Sequence, residues 1–340
     1  MPDFEIITPG PMSTVQDMGR TGCLAAGFCP NGVMDRYNAI LANALAGNAE
    51  PNVPNNVDMK NIPASPALIE MTMQGVTGRF TSDTTFAVTG ADMPCTLNDE
   101  PISAYKTQTA KAGGVLSVGY AKTGCRGYLA FYGGIDVPLV MGSRSTHVKC
   151  GIGGYNGRKL MRGDTLRIGA SYKSDLGNAS VAPLVYDKLF RVCEGPQFTR
   201  FGKLEIAQFL SSEYMVSPQS DRMGVRLDGA LINCEGGSDI ISDGICAGAI
   251  QISSSGQPMM LLADRQTVGG YAKPFVVIEA DLPKAGQLRP GDTLRFAAVT
   301  PRKARMIMME DMIHVSGSVR RVEDAITHSY RIMGWRLRTR

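Results

Sequence analysis

Between Leu68 and Phe296 the chain is a succession of short apolar or alternating runs cut by glycine and proline, and this rhythm limits its fold more than anything else in it. Ile69-Glu70-Met71-Thr72-Met73 alternates in polarity, and Thr85-Phe86-Ala87-Val88-Thr89-Gly90 runs into a turn. Val115–Val118, Gly127–Phe131, Thr165–Ile168 and Leu189–Val192 repeat the pattern. In an extended chain alternate side chains share a face, so such runs make half-buried strands rather than helices. With 39 glycines and 19 prolines as punctuation, the chain reads as mainly β with a few helices.

The helical exceptions are few. Met34, Tyr37, Leu41, Ala44 and Leu45 recur at helical spacing before Gly47-Asn48, predicting a helix over 34–46. A second helix is expected from Thr199 to Ser211, and a third in the tail, where Val322, Ile326, Tyr330 and Met333 share a face. A length of 340 residues exceeds what one core usually serves. Small, polar residues 169–183 offer a boundary. The expected division is an N-terminal β-rich domain over 1–170, a C-terminal β-rich domain over 184–300, and a basic, partly helical tail over 301–340. Arg162-Gly163-Asp164-Thr165-Leu166-Arg167 is echoed by Pro290-Gly291-Asp292-Thr293-Leu294-Arg295. Each copy closes its half, as two similar barrels would require, although Gly-Asp before an alternating run is also a common hairpin. Residues 51–66, rich in Asn and Pro, read as a surface loop.

Charge and cysteine usage exclude several classes. From Pro301 onward nine Lys/Arg face four Asp/Glu, leaving the remaining body near neutral. No basic run exceeds two residues, so the tail reads as a solvated segment, and neither nucleic acid nor membrane is an expected partner. No apolar run reaches the length of a membrane span. Eight scattered cysteines without a CxxC pair, and three distant histidines, argue against a local zinc site, and no metal is expected. The start Met-Pro-Asp-Phe-Glu has no signal-peptide character, so a cytoplasmic protein with reduced thiols is expected.

Walker A, GxGxxG, GxSxG and HExxH motifs are missing from the sequence, leaving four clusters that could carry chemistry. Gly142-Ser143-Arg144-Ser145-Thr146 offers exposed amides, hydroxyls and a guanidinium, donors suited to phosphate or carboxylate, although a glycine-rich turn explains it too. In Ser220-Asp221-Arg222-Met223-Gly224, Asp221 and Arg222 either pair locally or hold a planar group. Gln251, at the end of Gly248-Ala249-Ile250-Gln251, is a candidate for amide recognition. Asp264-Arg265-Gln266-Thr267 follows the apolar run Met259–Leu262 and precedes Gly269-Gly270-Tyr271 and Lys273. Charges at the end of a buried run need partners. Asp264 could orient water, Arg265 grip a carboxylate, Gln266 and Thr267 fix a polar substrate, and Lys273 neutralise an oxyanion. The alternative is an Asp264–Arg265 pair bracing a corner.

Taken in order, these residues resemble a known family. They are joined by Thr14-Val15-Gln16-Asp17 with Gly19-Arg20, Met34-Asp35, Asn43 with Gly47-Asn48, Thr89-Gly90-Ala91-Asp92 and Gly133-Gly134-Ile135-Asp136. The family comprises allophanate hydrolase subunit 2-like proteins, the C subunit of bacterial 5-oxoprolinase, and part of the carboxyltransferase region of urea carboxylase. The resemblance spans Pro9 to Phe296; Ser253-Ser254-Ser255 and His147 depart from the usual pattern. It implies two β-rich halves with cyclophilin-like β-barrel architecture. It also implies a companion like allophanate hydrolase subunit 1 (the B subunit of 5-oxoprolinase) and, for 5-oxoprolinase, a third, LamB/YcsF-like A subunit.

The implied reaction is ATP-driven opening of 5-oxoproline to glutamate, with ATP and Mg held by this chain or by a partner. Catalytic roles then fall to Asp264, Arg265, Asp221 and Lys273, and binding roles to Arg144, Ser143, Ser145, Arg222, Gln251, Gln266 and Thr267. The alternatives are a biotin-dependent carboxyltransferase component and a regulatory subunit without catalysis. Covalently attached biotin is not expected, because the chain has no Met-Lys-Met signature.

Overall fold

In the computed structural model, residues 3–48, 65–169 and 178–332 are described, with side chains to Ala325. Most of the expected loop at 51–66, most of the boundary stretch and the apolar positions Ile326, Tyr330 and Met333 therefore lie outside the described backbone or side chains. The chain forms two compact units, each assembled from separate stretches. The first comprises Met1–Thr21, Asn31–Leu184 and His314–Arg340; the second comprises Gly22–Pro30 and Val185–Ile313.

The first unit is built on two antiparallel sheets. Its six-stranded sheet contains β1 (Asp3–Thr8), β4 (Thr77–Phe80), β6 (Cys95–Leu97), β7 (Glu100–Ile102), β9 (Val115–Val118) and β11 (Thr165–Arg167), in the order β11-β1-β4-β9-β6-β7. The other contains β2 (Met12–Gln16), β3 (Leu68–Thr72), β5 (Thr84–Asp92), β8 (Gln108–Ala110) and β10 (Thr123–Phe131), in the order β2-β3-β10-β5-β8. Phe4, Phe80, Phe86 and Phe131 pack together in its core, with ring centroids 5.0 Å apart for Phe4–Phe80 and for Phe4–Phe131. The expected first helix is α1 (Arg36–Leu45). Asp35 precedes it in an extended conformation and accepts from the Asn38 amide, satisfying an end-of-helix donor. Gly47 follows in the left-handed region, where the helix stops.

The second unit contains a closed barrel of β12 (Leu189–Glu194), β13 (Tyr214–Val216), β14 (Gly224–Asp228), β16 (Ala249–Ile252), β17 (Pro258–Leu261), β19 (Phe275–Val277) and β20 (Thr293–Ala298). Its order is β12-β19-β16-β17-β14-β13-β20, and parallel pairing of β12 with β20 closes it. A separate ribbon pairs β15 (Asp239–Gly244) with β18 (Val268–Tyr271). The helix expected from Thr199 begins later, as α2 (Lys203–Ser211), because Gly202 is extended and separates it from a 3-10 turn at Phe198–Arg200. Its Phe209 stacks on Phe275 and Phe296 of the barrel, at centroid distances of 4.8 and 4.6 Å. Two further helices follow, α3 (Leu282–Ala285) and the long α4 (Pro301–Ile332).

The echoed motif is a true structural repeat. Gly163 and Gly291 adopt φ of 89° and 87°. Each following aspartate accepts from the amide three residues back, Asp164 from Met161 and Asp292 from Arg289, both at 2.8 Å. Each turn clasps one strand through two backbone bonds, the first to Ile6 and the second to Val216. The expectation of two similar barrels meets a difference. Among the described strands only the second unit closes, because β12 and β20 pair edge to edge there, whereas the first unit's strands divide between two sheets.

Candidate functional site

Three strands of the barrel bring the candidate site together. Arg226 on β14 stands opposite Met259 on β17, and Met259 stands opposite Gln251 on β16. Residues directly opposite in antiparallel pairs share a face, and neighbouring strands lie about 4.8 Å apart. Arg226 and Gln251 therefore flank Met259 in one row, about 10 Å apart along the sheet. This row floors a cleft of ≈ 340 Å³, walled by Gln266 and by Gly269, Gly270 and Tyr271 of β18.

Gln251 is 4% exposed. Among the described residues neither its carboxamide nor the half-buried Arg226 guanidinium has a hydrogen-bond or ion-pair partner. Buried polar groups are normally satisfied, so a nearly buried amide left open toward a cleft is a group waiting for a ligand. Gly269 makes its position possible: a Cβ there would lie 2.7 Å from Gln251 Nε2. Gln257 is already engaged, donating to Asp228 Oδ1 at 2.7 Å.

The charged sequence motifs support this cleft from outside its lining. Arg222 grips Asp264 in two-point fashion, Nε to Oδ2 at 2.9 Å and Nη2 to Oδ1 at 3.1 Å. Both side chains are about nine-tenths buried, at 11% and 10% exposure. Together with backbone bonds from Asp264 N to Arg222 O and from Leu262 N to Met223 O, the pair clamps the loop before β14 to the loop after β17. The brace joins Arg222 to Asp264 across the two loops, and Asp221 accepts from the Met223 and Gly224 amides, shaping a turn. Arg265 is buried and donates to the carbonyls of Ile245 and Leu262, and burial lowers its pKa from the usual guanidinium value. Thr267 accepts through its carbonyl from the Ile245 amide. Lys273, 1% exposed, reaches Asp243 Oδ2 at 3.4 Å. The Asp243 carboxyl is held below its usual range, first by the Gly244 amide and then by Lys273. Of the expected site residues in this unit, then, Gln251 and Gln266 line the cleft, while Asp221, Arg222, Asp264, Arg265, Thr267 and Lys273 belong to its supports and surroundings.

The remaining three lie in the first unit around a different centre. Asp17, 2% exposed, accepts from the hydroxyls of Ser143 and Ser145 at 2.6 and 2.5 Å and from the Arg144 amide at 2.6 Å. The Arg144 side chain donates from Nε to the Val137 carbonyl at 3.2 Å. Arg20 ties the same loop through the Ser145 and Val140 carbonyls. The serine hydroxyls thus donate to a buried carboxylate instead of presenting themselves to an outside anion.

Arg226 and Tyr271 were missed by sequence reasoning. Arg226 lies just beyond the Ser220–Gly224 cluster, and only the strand register shows that it shares a face with Gln251. Chemically, the cleft offers a cation, carboxamides and a phenol, with no carboxylate, imidazole or thiol in its lining. It can bind and orient a small planar polar molecule; a carboxylate or imidazole for acid–base catalysis has to come from beyond it. Among the described residues no cluster of metal-ligating side chains occurs, and no helix is long and apolar enough to cross a membrane.

The family described as carboxyltransferase domain, subdomain A and B, matches residues 26–298. The chain belongs to that family. The Haemophilus influenzae 5-oxoprolinase C subunit is 34% identical over 323 residues, covering 94% of this chain and 99% of the relative. Its Escherichia coli counterpart is 36% identical over 301 residues, covering 88% and 93%. In the crystal structure of Kluyveromyces lactis urea carboxylase a region superimposes with a TM-score of 0.82 at 33% identity, covering 93% of this chain and 29% of that one. The family thus spans subunits that stand alone as chains and segments of much larger enzymes, and α4 lies beyond the matched stretch.

Proposed function

We propose that this chain is a subunit of an ATP-dependent amide or lactam hydrolase complex, and that the complex is a 5-oxoprolinase. The observation that carries the reading is the row Arg226–Met259–Gln251. A five-membered lactam holds its N–H and C=O on the same side, as a cis amide. A primary carboxamide such as Gln251 can meet both at once, one bond given and one accepted. The 5-oxoproline carboxylate then falls to the Arg226 guanidinium, which favours charged oxygen pairs, with Met259 beneath the ring. Similarity to two 5-oxoprolinase C subunits over nearly their whole length supports the same substrate.

Lactam opening is driven by transfer of the ATP γ-phosphoryl group to the exocyclic carbonyl oxygen, with ADP released; water adds to the carbonyl carbon, the ring C–N bond breaks with the nitrogen taking a proton, and a second water displaces phosphate from the resulting acyl phosphate, leaving glutamate. One guanidinium in the cleft suits one anionic group rather than a triphosphate. We therefore place ATP and its Mg on a companion like the 5-oxoprolinase B subunit, together with the acid–base group that the cleft lining does not supply. The proposed assembly also holds a LamB/YcsF-like A subunit.

A second reading, carboxyl transfer from a biotin carrier to a urea-like acceptor, draws on the same geometry, since a ureido group also offers a cis N–H and C=O. The likeness to urea carboxylase favours it. The test is glutamate release from 5-oxoproline by the complex reconstituted with both companion subunits, wild type against Gln251→Leu and Arg226→Leu. Turnover lost in both variants, with the complex intact, supports the reading. Full turnover in both refutes the site, and no glutamate from an intact wild-type complex refutes the function. Incorporation of labelled bicarbonate into urea, given a biotinylated carrier, would establish the second reading instead.

A further inference from the structure

The first three turns of α4 are apolar on two faces. One face is accounted for: Ile307 is buried with Ile278 and Ala280, and Ala304 and Met308 pack against the same cluster. The other is bare. Met306, Met309 and Ile313 are 46%, 55% and 71% exposed, and Met312 beside them is 45% exposed. With exposed Arg302, they form a stripe at positions 302, 306, 309 and 313. These alternating spacings of four and three are those of a coiled-coil seam.

The charges around the stripe indicate what fits it. Lys303 and Glu310, both exposed, lie on one flank seven residues apart; Arg305 and Met312 lie on the other. In an antiparallel pair of identical helices, like flanks meet. Setting Met306 against Met309 of a second copy places Ile313 over the stem of the second copy's Arg302. The same register puts Lys303 opposite Glu310 twice, once on each side of the two-fold axis. Arg305 extends its methylene stem along Met312, with its charge in water. No other register aligns both methionines and both ion pairs. The pattern is self-complementary, as an isologous contact requires.

We infer that the exposed stripe of α4 is a homodimer contact, closed by antiparallel pairing of α4 with α4 of a second copy around Met306 and Met309. The inference is independent of the proposed activity. Three turns of helix make a small contact, so the dimer forms in a concentration-dependent equilibrium rather than as an obligate assembly.

Sedimentation velocity of the full-length chain over a concentration series tests it. Wild type is expected to shift from monomer to dimer, and Met309→Asp to stay monomeric at concentrations where wild type is dimeric. Glu310→Lys and Lys303→Glu are each expected to weaken association about tenfold, since each turns two attractive pairs repulsive. The double variant Lys303→Glu with Glu310→Lys recovers wild-type association to within about twofold, because the pairs are restored with their signs exchanged. That recovery is specific to antiparallel self-pairing. A wild-type monomer at about 100 μM, a Met309→Asp dimer, or no recovery in the double variant would overturn the inference. So would sedimentation with anionic vesicles through Met309 in a chain that shows no self-association.

Discussion

Asp264→Asn separates a brace from a catalyst. In the structure its carboxylate receives two charged hydrogen bonds from Arg222, at 2.9 and 3.1 Å, where both side chains are about nine-tenths buried. Neutralising Asp264 takes away the charge that accepts two of the guanidinium's hydrogen bonds while the guanidinium stays largely out of water. Breaking such a pair costs about 3–5 kcal/mol when it is fully buried. The asparagine oxygen still accepts one bond and some water reaches the site, so the lower end, about 3 kcal/mol, is expected. For a unit of this size that lowers the melting temperature by about 6–12 °C. Replacing both partners by leucine removes the buried guanidinium together with its carboxylate and should return stability to within about 1 kcal/mol of wild type. Calorimetry on the four chains of this double-mutant cycle provides the measurement, with glutamate release from the reconstituted complex measured in parallel below the transition. A brace predicts that activity follows stability, and that the double-leucine chain regains both. If Asp264→Asn melts with the wild type while turnover collapses, the brace is refuted and Asp264 acts on the reaction.

Gly269→Ala should raise KM about tenfold with little change in melting temperature, because the new Cβ meets the movable ends of Gln251 and Ile245 at 2.7 and 2.6 Å. Steady-state kinetics beside a thermal melt check this; an unchanged KM would mean that the Gln251 amide does not hold substrate. Asp164 is held below its ordinary value of 3.8, first by the Arg158 hydrogen bonds and then, against the opposing effect of burial, by the Met161 amide. A depressed carboxylate contributes stability that is present above its unfolded value and lost as pH falls through the folded one. Asp164→Asn should therefore flatten the acid limb of the melting curve below about pH 4, and a limb as steep as wild type's would count against it. Asp17→Asn removes the shared acceptor of Ser143, Ser145 and the Arg144 amide and should cost about 2–4 kcal/mol in urea unfolding; a loss under about 0.5 kcal/mol would show that the loop holds without it.

Local signals carried most of the fold. Helix α1 was legible because its stop, Gly47-Asn48, and its apolar spacing agree with one another, and the strands because alternation is a property of each run alone. The Gly-Asp echo was legible too, and proves to be one turn used twice. Barrel closure was not, because it depends on β12 meeting β20 from the far end of the unit. The same divide runs through the site. Gln251 stood out at a strand end, but Arg226 looked like one basic residue among many until the registers of two strand pairs aligned it. The sequence offered Asp221–Arg222 and Asp264–Arg265 as neighbours. The molecule instead joins Arg222 to Asp264, since adjacent residues of an extended chain face opposite ways and long-range partners take the side chains that neighbours cannot share.

Both compact units are discontinuous, and this governs how the chain can be dissected. The first unit draws Val319 and Val322 from α4 to pack with the cluster of Leu68, Ala87, Tyr128 and Ala130, while the second draws Gly22–Pro30 from near the start. A truncation after Leu184 keeps both sheets of the first unit but strips that apolar cluster of its last contributors, and a fragment from Val185 to Ile313 omits the early segment of the second. During synthesis, strands formed first must await residues made last. A cut at the midpoint therefore leaves each unit short of a segment it needs, and the chain is best handled whole.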